Sequence, residues 1–179
     1  MFINLTDILT SGDETLTMQV EADMQEVSIG GETFQVLEKS PVSLTFTRIG
    51  KKKAELEGQA EFTFAMNCDR CLKPVEEKLS LHFNREIYAP DAVLETSDDA
   101  DIADEEQAFM EGYQLNVDDL LNSEIIINWP RKVLCKPDCK GICFQCGKDL
   151  NTGSCTCDTF VPDPRMAVIK DIFNANKEV

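Results

Sequence analysis

Alternation of apolar and polar positions is clearest in the middle of the chain. Val42, Leu44 and Phe46 alternate with Ser43, Thr45 and Thr47. Ala60, Phe62, Phe64 and Met66 repeat the pattern, and Val75, Glu77, Leu79, Leu81 and Phe83 keep the same period of two. Successive strand side chains point to opposite faces, so each stretch predicts a half-buried strand. The last two flank Cys68-Asp69-Arg70-Cys71-Leu72-Lys73-Pro74, which predicts an antiparallel hairpin with the cysteines at its tip. Upstream, Ile3, Leu5 and Ile8 predict a strand running into a turn at Ser11-Gly12-Asp13. Leu16, Met18 and Val20 predict another, Gly30-Gly31 a turn, and Lys51-Lys52-Lys53 a loop or exposed strand end.

From Ala89 to Glu106 the pattern is lost and acids appear with no base among them, which predicts a loop or disordered segment. Asn116 can then cap a helix that begins with Val117-Asp118-Asp119 and continues through Leu120, Leu121 and Glu124 until Pro130 stops it. A strand at Ile125–Asn128 is the alternative, because three isoleucines run together. A terminal helix is predicted where Asp163 caps, Pro164 takes the first helical position, and Met166, Val168, Ile169, Ile172 and Phe173 follow. The expected fold is α+β: an antiparallel sheet, compatible with a partial barrel, a cysteine-rich zinc-binding C-terminal part, and short helices. The expected organisation is a β region over 1–88, an acidic loop over 89–115, and a helical, cysteine-rich region over 116–179 packed on the first as one unit.

Charge narrows the choice of partners. With 33 acids against 17 bases the formal charge is −16, so most of the surface repels nucleic acid and suits a basic partner. No apolar run approaches the roughly 18 residues of a membrane span. Met1-Phe2-Ile3-Asn4-Leu5-Thr6-Asp7 lacks the basic and apolar regions of a signal peptide. The expected compartment is therefore a reducing cytoplasm, where clustered cysteines are more often metal ligands than disulfides.

Eight cysteines fall into four close pairs. Cys143-Phe144-Gln145-Cys146-Gly147-Lys148 reads as a zinc knuckle: two thiolates reach one ion from a tight turn, amides point at the sulfurs, and the glycine permits a positive φ. Cys155-Thr156-Cys157 can complete a four-thiolate site. Cys135 and Cys139 form a further pair, too many ligands for the same ion and too few for a second. Cys68 and Cys71 supply the missing two if the hairpin reaches them. A rival pairing adds Cys135 or Cys139 to the distal cluster and leaves Cys68-Asp69-Arg70-Cys71 as a redox couple. One or two zinc ions are expected. Eight thiolates with two ions would bring the charge to roughly −20.

The bases Arg70, Lys73, Arg131, Lys132, Lys136, Lys140 and Lys148 flank these cysteines. They either compensate the thiolates or present a local basic patch for nucleic acid or another partner. Nothing asks for catalysis. His82, the single histidine, lies on the solvent side of an alternating run. No phosphate loop, His-Glu-x-x-His or nucleophile elbow occurs, and a four-thiolate zinc leaves no open coordination position. No catalytic residue and no small-molecule substrate are expected.

Cys68-Asp69-Arg70-Cys71-Leu72, the run from Cys135 through Gly141-Ile142-Cys143 to Cys146-Gly147, then Leu150-Asn151, Cys155-Thr156-Cys157 and Asp163-Pro164-Arg165 together resemble the DUF177/YceD family. These are bacterial and plastid proteins linked to accumulation of large-subunit ribosomal RNA. The resemblance implies a non-enzymatic, zinc-stabilised factor in ribosome biogenesis. Its partner would be a precursor large subunit, met through rRNA or a basic ribosomal protein. A general protein-interaction adaptor and a redox-responsive zinc regulator are the alternative readings.

Overall fold

Two long strands organise the chain, β6 (Lys53–Asn67) and β7 (Pro74–Tyr88), paired antiparallel from Lys53↔Tyr88 to Asn67↔Pro74. In β6 the buried positions are Ala54, Leu56, Gly58, Ala60, Phe62, Phe64 and Met66, an unbroken period of two. The computed structural model describes residues 1–10, 15–92 and 107–157. The turn expected at Ser11-Gly12-Asp13, most of the acidic segment and the terminal helix beyond Asp163 lie outside the described residues.

The opposite edge of β6 is shared by β5 (Val42–Gly50), paired with its first half, and β4 (Glu32–Lys39), paired near Phe62–Phe64. β2 (Thr15–Val20) adds to β5, and β3 (Glu26–Ile29) adds to β4 through the Gly30-Gly31 turn. Both glycines have positive φ, 62° and 89°, the conformation a two-residue hairpin of this twist requires. A smaller sheet orders β1 (Phe2–Asn4), β9 (Gln114–Asn116) and β8 (Met110–Glu111) as β1-β9-β8. Among the described residues neither sheet closes on itself, so no closed barrel is formed. The strands leave open edges instead of completing a ring.

Two expectations are corrected. The strand expected through Ile3, Leu5 and Ile8 stops at Asn4, whose side-chain oxygen accepts from Thr6 N at 2.8 Å and starts helix α1 (Thr6–Thr10). Leu5, Ile8 and Leu9 then share one buried helical face. The strand alternative at Ile125–Asn128 gives way to helix α2 (Val117–Ile127). Asn116 caps it, accepting from Asp118 N at 3.2 Å and Asp119 N at 3.5 Å. Pro130 disfavours helical backbone at Trp129 and the helix has ended by Asn128.

The described residues divide into two compact units: 1–67 with 74–133, and 68–73 with the chain from 134 onward. The first holds the hydrophobic core, in which Phe46, Phe62, Phe64, Leu81 and Ile87 from the large sheet join Leu9 of α1 and Leu120, Leu121 and Ile125 of α2. Gly58 faces Phe83 in the register, and a Cβ there would lie 2.0 Å from the Phe83 ring, so the aromatic fills the space the glycine leaves.

One charge is buried in this core. The Glu124 side chain, 3% exposed, accepts from Arg85 Nε at 2.7 Å. An Arg85→Met variant leaves that carboxylate desolvated and alone, at an expected cost of about 2 kcal/mol. This is below the ~3–5 kcal/mol of fully buried pairs because Arg85 is half open to water. Urea unfolding followed through Trp129, which packs 4.8 Å from Phe34 and 5.0 Å from Phe64, measures it. An unchanged midpoint would mean that water already satisfies Glu124.

Candidate metal centres

The second unit is built differently. Among its described residues no helix or strand forms, only an isolated bridge between Ile142 and Asp149. Its described buried residues are Cys68, Cys71, Cys139, Cys143 and Gly141. Four cysteines and a glycine are no hydrophobic core. Something other than apolar burial must hold these described residues together.

Two turns in it share one backbone design. In Cys68–Lys73, Cys68 N donates to Lys73 O at 2.8 Å and Leu72 N to Cys68 O at 2.9 Å. In Cys143–Lys148, Cys143 N donates to Lys148 O at 2.9 Å and Gly147 N to Cys143 O at 2.8 Å. The residue after the second cysteine takes positive φ in both, 59° at Leu72 and 70° at Gly147. Gly147 adopts it freely, whereas a non-glycine residue costs about 1–2 kcal/mol in this conformation.

Each turn carries half of a sulfur quartet. Cys68, Cys71, Cys135 and Cys139 place their Sγ atoms within 4.8 Å of one another, and so do Cys143, Cys146, Cys155 and Cys157. In the first quartet Cys68 and Cys139 are 3.8 Å apart and Cys71 and Cys135 3.5 Å apart. A zinc tetrahedron with bonds of about 2.3 Å has sulfur–sulfur edges of about 3.8 Å. All eight cysteines are free, so no disulfide competes for these sulfurs. The geometry and the soft donor set fit a tetrahedral thiophilic ion in each quartet.

The electrostatics point the same way. Burial pushes the Cys68 thiol up, but the backbone N–H groups of Cys135, Arg70 and Cys71 outweigh it and bring it down to about 6. The N–H groups of Cys146 and Gln145 bring Cys143 down to about 6 against the effect of burial. Cys139 is lowered as well, because burial is outweighed by the Asn151 donor and the Gly141 N–H, but in each quartet a partner moves the other way. Cys135 is pushed up to about 12 by the Cys71 thiol and by burial, and Cys157 to about 12 by Cys146 and by burial. The backbone thus prepares one thiolate in each turn, while further negative charge in the same quartet needs a cation.

Polar residues that the spacing of the cysteines did not single out brace the first quartet. Asn151 Nδ2 donates to Cys139 Sγ at 3.4 Å and its Oδ1 accepts from Lys140 N at 2.9 Å. Asp149 accepts from Asn151 N at 2.8 Å and pairs with Lys73 Nζ at 2.8 Å. The Lys73 ammonium and the Asn151 donors hold the Asp149 carboxyl down at about 2. Gly141 has φ of 79°, and a Cβ there would lie 2.8 Å from Arg70 O, which also accepts from Ile142 N at 3.1 Å.

The expected basic residues are partly committed within their own units. Lys73 pairs with Asp149, Lys136 lies 3.8 Å from Asp138, Arg70 Nη1 donates to Cys139 O at 2.5 Å and Lys148 Nζ to Ser154 O at 2.7 Å. Lys140 is exposed, and Arg131 and Lys132 are exposed in the first unit. His82 is exposed on β7, opposite Gln59.

Residues 56–173, a stretch that includes all eight cysteines, match the model of a family described as large ribosomal RNA subunit accumulation protein YceD. A maize protein, large ribosomal RNA subunit accumulation protein YCED homolog 1, chloroplastic, is 26% identical over 145 residues, covering 65% of this chain and 47% of that relative. The chain therefore spans about half the length of the maize protein. No solved structure matches it.

Proposed function

Because this chain belongs to the YceD family of large ribosomal RNA subunit accumulation proteins, we propose that it is a non-enzymatic, zinc-stabilised factor in ribosome biogenesis. It supports accumulation of large-subunit rRNA by binding a precursor particle in a reducing cytoplasm. The observation that carries this reading is the family match across both sulfur quartets. In this reading Cys68, Cys71, Cys135 and Cys139 hold one zinc ion and Cys143, Cys146, Cys155 and Cys157 another. Zinc bound by four thiolates supplies a closed structural crosslink with no position for substrate. The eight thiolates, and the amides that lower Cys68 and Cys143, do the remainder by fixing two turns that apolar burial does not fix.

The uneven charge supports a division of contacts. Residues 68–73 and 134–157 contain five of the seventeen bases and only three of the thirty-three acids. Nucleic acid is tolerated best at this unit, while the acidic remainder suits a basic ribosomal protein.

The test is sedimentation of tagged protein from cells on a salt series. The expected result is co-migration with precursor large subunits at low salt and release as salt rises, because the contacts are ionic. Depletion of the protein should lower large-subunit rRNA relative to small-subunit rRNA. Absence from every ribosomal fraction, with unchanged rRNA on depletion, would remove this reading and leave a general adaptor.

A further inference from the structure

Each of the two metal turns shows one large apolar side chain to water. Leu72 is 64% exposed and Phe144 is 67% exposed, and among the described residues they are the large exposed apolar side chains of this unit. Neither contributes to a core. Leu72 also sits at positive φ, where Gly147 stands in the sister turn. Glycine would suit that position as well or better, so Leu72 stands there against local conformational preference. The turns themselves are fixed by paired backbone hydrogen bonds on the first cysteine of each. Rings and branched chains carried on such rigid turns lose little freedom when something covers them.

The chemistry around them selects the occupant. Lys140, Arg70 and Lys148 are exposed in the same unit. Arg70 donates through one nitrogen to Cys139 O, and its guanidinium has further donors to offer. Phosphates repelled by a chain of charge −16 meet the least opposition in this unit. An exposed aromatic ring in a unit that also exposes lysine and arginine is the combination that holds unpaired bases: the ring stacks on a base and the cations take the backbone. Resting on the proposed role in ribosome biogenesis, we infer that Phe144 and Leu72 are contact residues for unpaired bases of a single-stranded RNA segment, with Lys140 and Arg70 meeting its phosphates.

The test uses the zinc-loaded full chain and a fluorescent single-stranded RNA of about a dozen nucleotides, the footprint of a small single-strand binder, read by anisotropy. A duplex of the same length is the comparison. Binding is expected to favour the single strand. Phe144→Ala should weaken it about tenfold or more, the loss of one base–aromatic stack, and Phe144→Tyr should largely restore it. Leu72→Gly should weaken it severalfold while melting temperature stays level or rises, which separates contact from folding. Lys140→Glu should weaken it and flatten the salt dependence. Zinc content should stay unchanged in all four variants.

Equal affinity for single strand and duplex, no binding by the unaltered chain, or unchanged binding by both Phe144→Ala and Leu72→Gly would overturn the inference. So would crosslinking that replaces RNA with a ribosomal protein at Leu72 and Phe144. Variants that lose RNA but still co-sediment with precursor particles would support the contact and assign particle docking elsewhere. An unaltered chain that never co-sediments fails the proposed function instead.

Discussion

Stripping the protein of metal with a strong thiol-compatible chelator is expected to unfold residues 68–73 and 134–157 while the first unit stays folded. Structural zinc supplies on the order of 10–16 kcal/mol to small domains that cannot fold without it. The second unit is expected to behave in that way: its described buried residues are four cysteines and one glycine, and its described backbone order rests on turns, a few loop hydrogen bonds and one isolated bridge. The first unit has its own core of aromatic and aliphatic residues. Amide exchange separates the two. The amides of Cys143, Gly147 and Leu150 should lose protection on chelation, while those of Phe62 and Leu81 keep theirs. Trp129, held between Phe34 and Phe64, should keep its emission. Native mass spectrometry should count two ions before chelation, and one in a Cys68→Ser variant. Protection retained everywhere after complete metal removal, or lost in both units together, would refute this separation. Acid should mimic the chelator, because each thiolate must be protonated as metal leaves.

How much of this was legible without coordinates depends on the scale of the feature. The strands β5, β6 and β7 could be read because each buries one face over many residues, and a period of two survives small errors. Strand β4 could not. Its register shifts between Val36 and Glu38, which leaves Leu37 exposed and destroys the alternation. Helix α1 was hidden because Ile3 and Leu5 alternate and so read as the start of a strand. Ile8 and Leu9, three and four residues after Leu5, carry the helical spacing. Strands β8 and β9 are too short to carry any period.

The cysteines show the same division between local and distant information. Spacing alone identifies the turn at Cys143–Cys146 as a knuckle. It leaves the partner of Cys135 and Cys139 open, because the answer lies 64 to 71 residues away at Cys71 and Cys68. The backbone likeness between the two turns was equally hidden. Leu72 occupies the position where a glycine would have announced it. The basic residues were visible as a run, but their engagement was not: Lys73 finds its partner in Asp149, far along the chain.

Gly141 brings these threads to one position, and its replacement is the second large effect expected. It stands between Cys139, the last ligand of one quartet, and Cys143, the first of the other. A Gly141→Ala change meets two penalties. The positive φ of 79° costs about 1 kcal/mol for any residue with a Cβ, and that Cβ would lie 2.8 Å from Arg70 O, a backbone atom that cannot rotate away. Relief requires the 141–142 segment to move off Arg70, stretching the Ile142 N to Arg70 O bond and pulling Cys139 from Cys68. We expect a total loss of about 2–4 kcal/mol, felt as roughly 30- to 1000-fold weaker zinc binding at the first quartet. Gly147→Ala is the matched control. Its φ is 70° but nothing lies within 4 Å of the added Cβ, so only the conformational penalty of about 1 kcal/mol applies, at the second quartet. Competition against a chromophoric chelator, one quartet at a time in Cys→Ser backgrounds, measures both. Equal losses for the two alanines would show that positive φ alone matters and that the Arg70 carbonyl yields. A much larger loss at Gly141 means that the close approach of the two chain segments is itself what shapes the first centre.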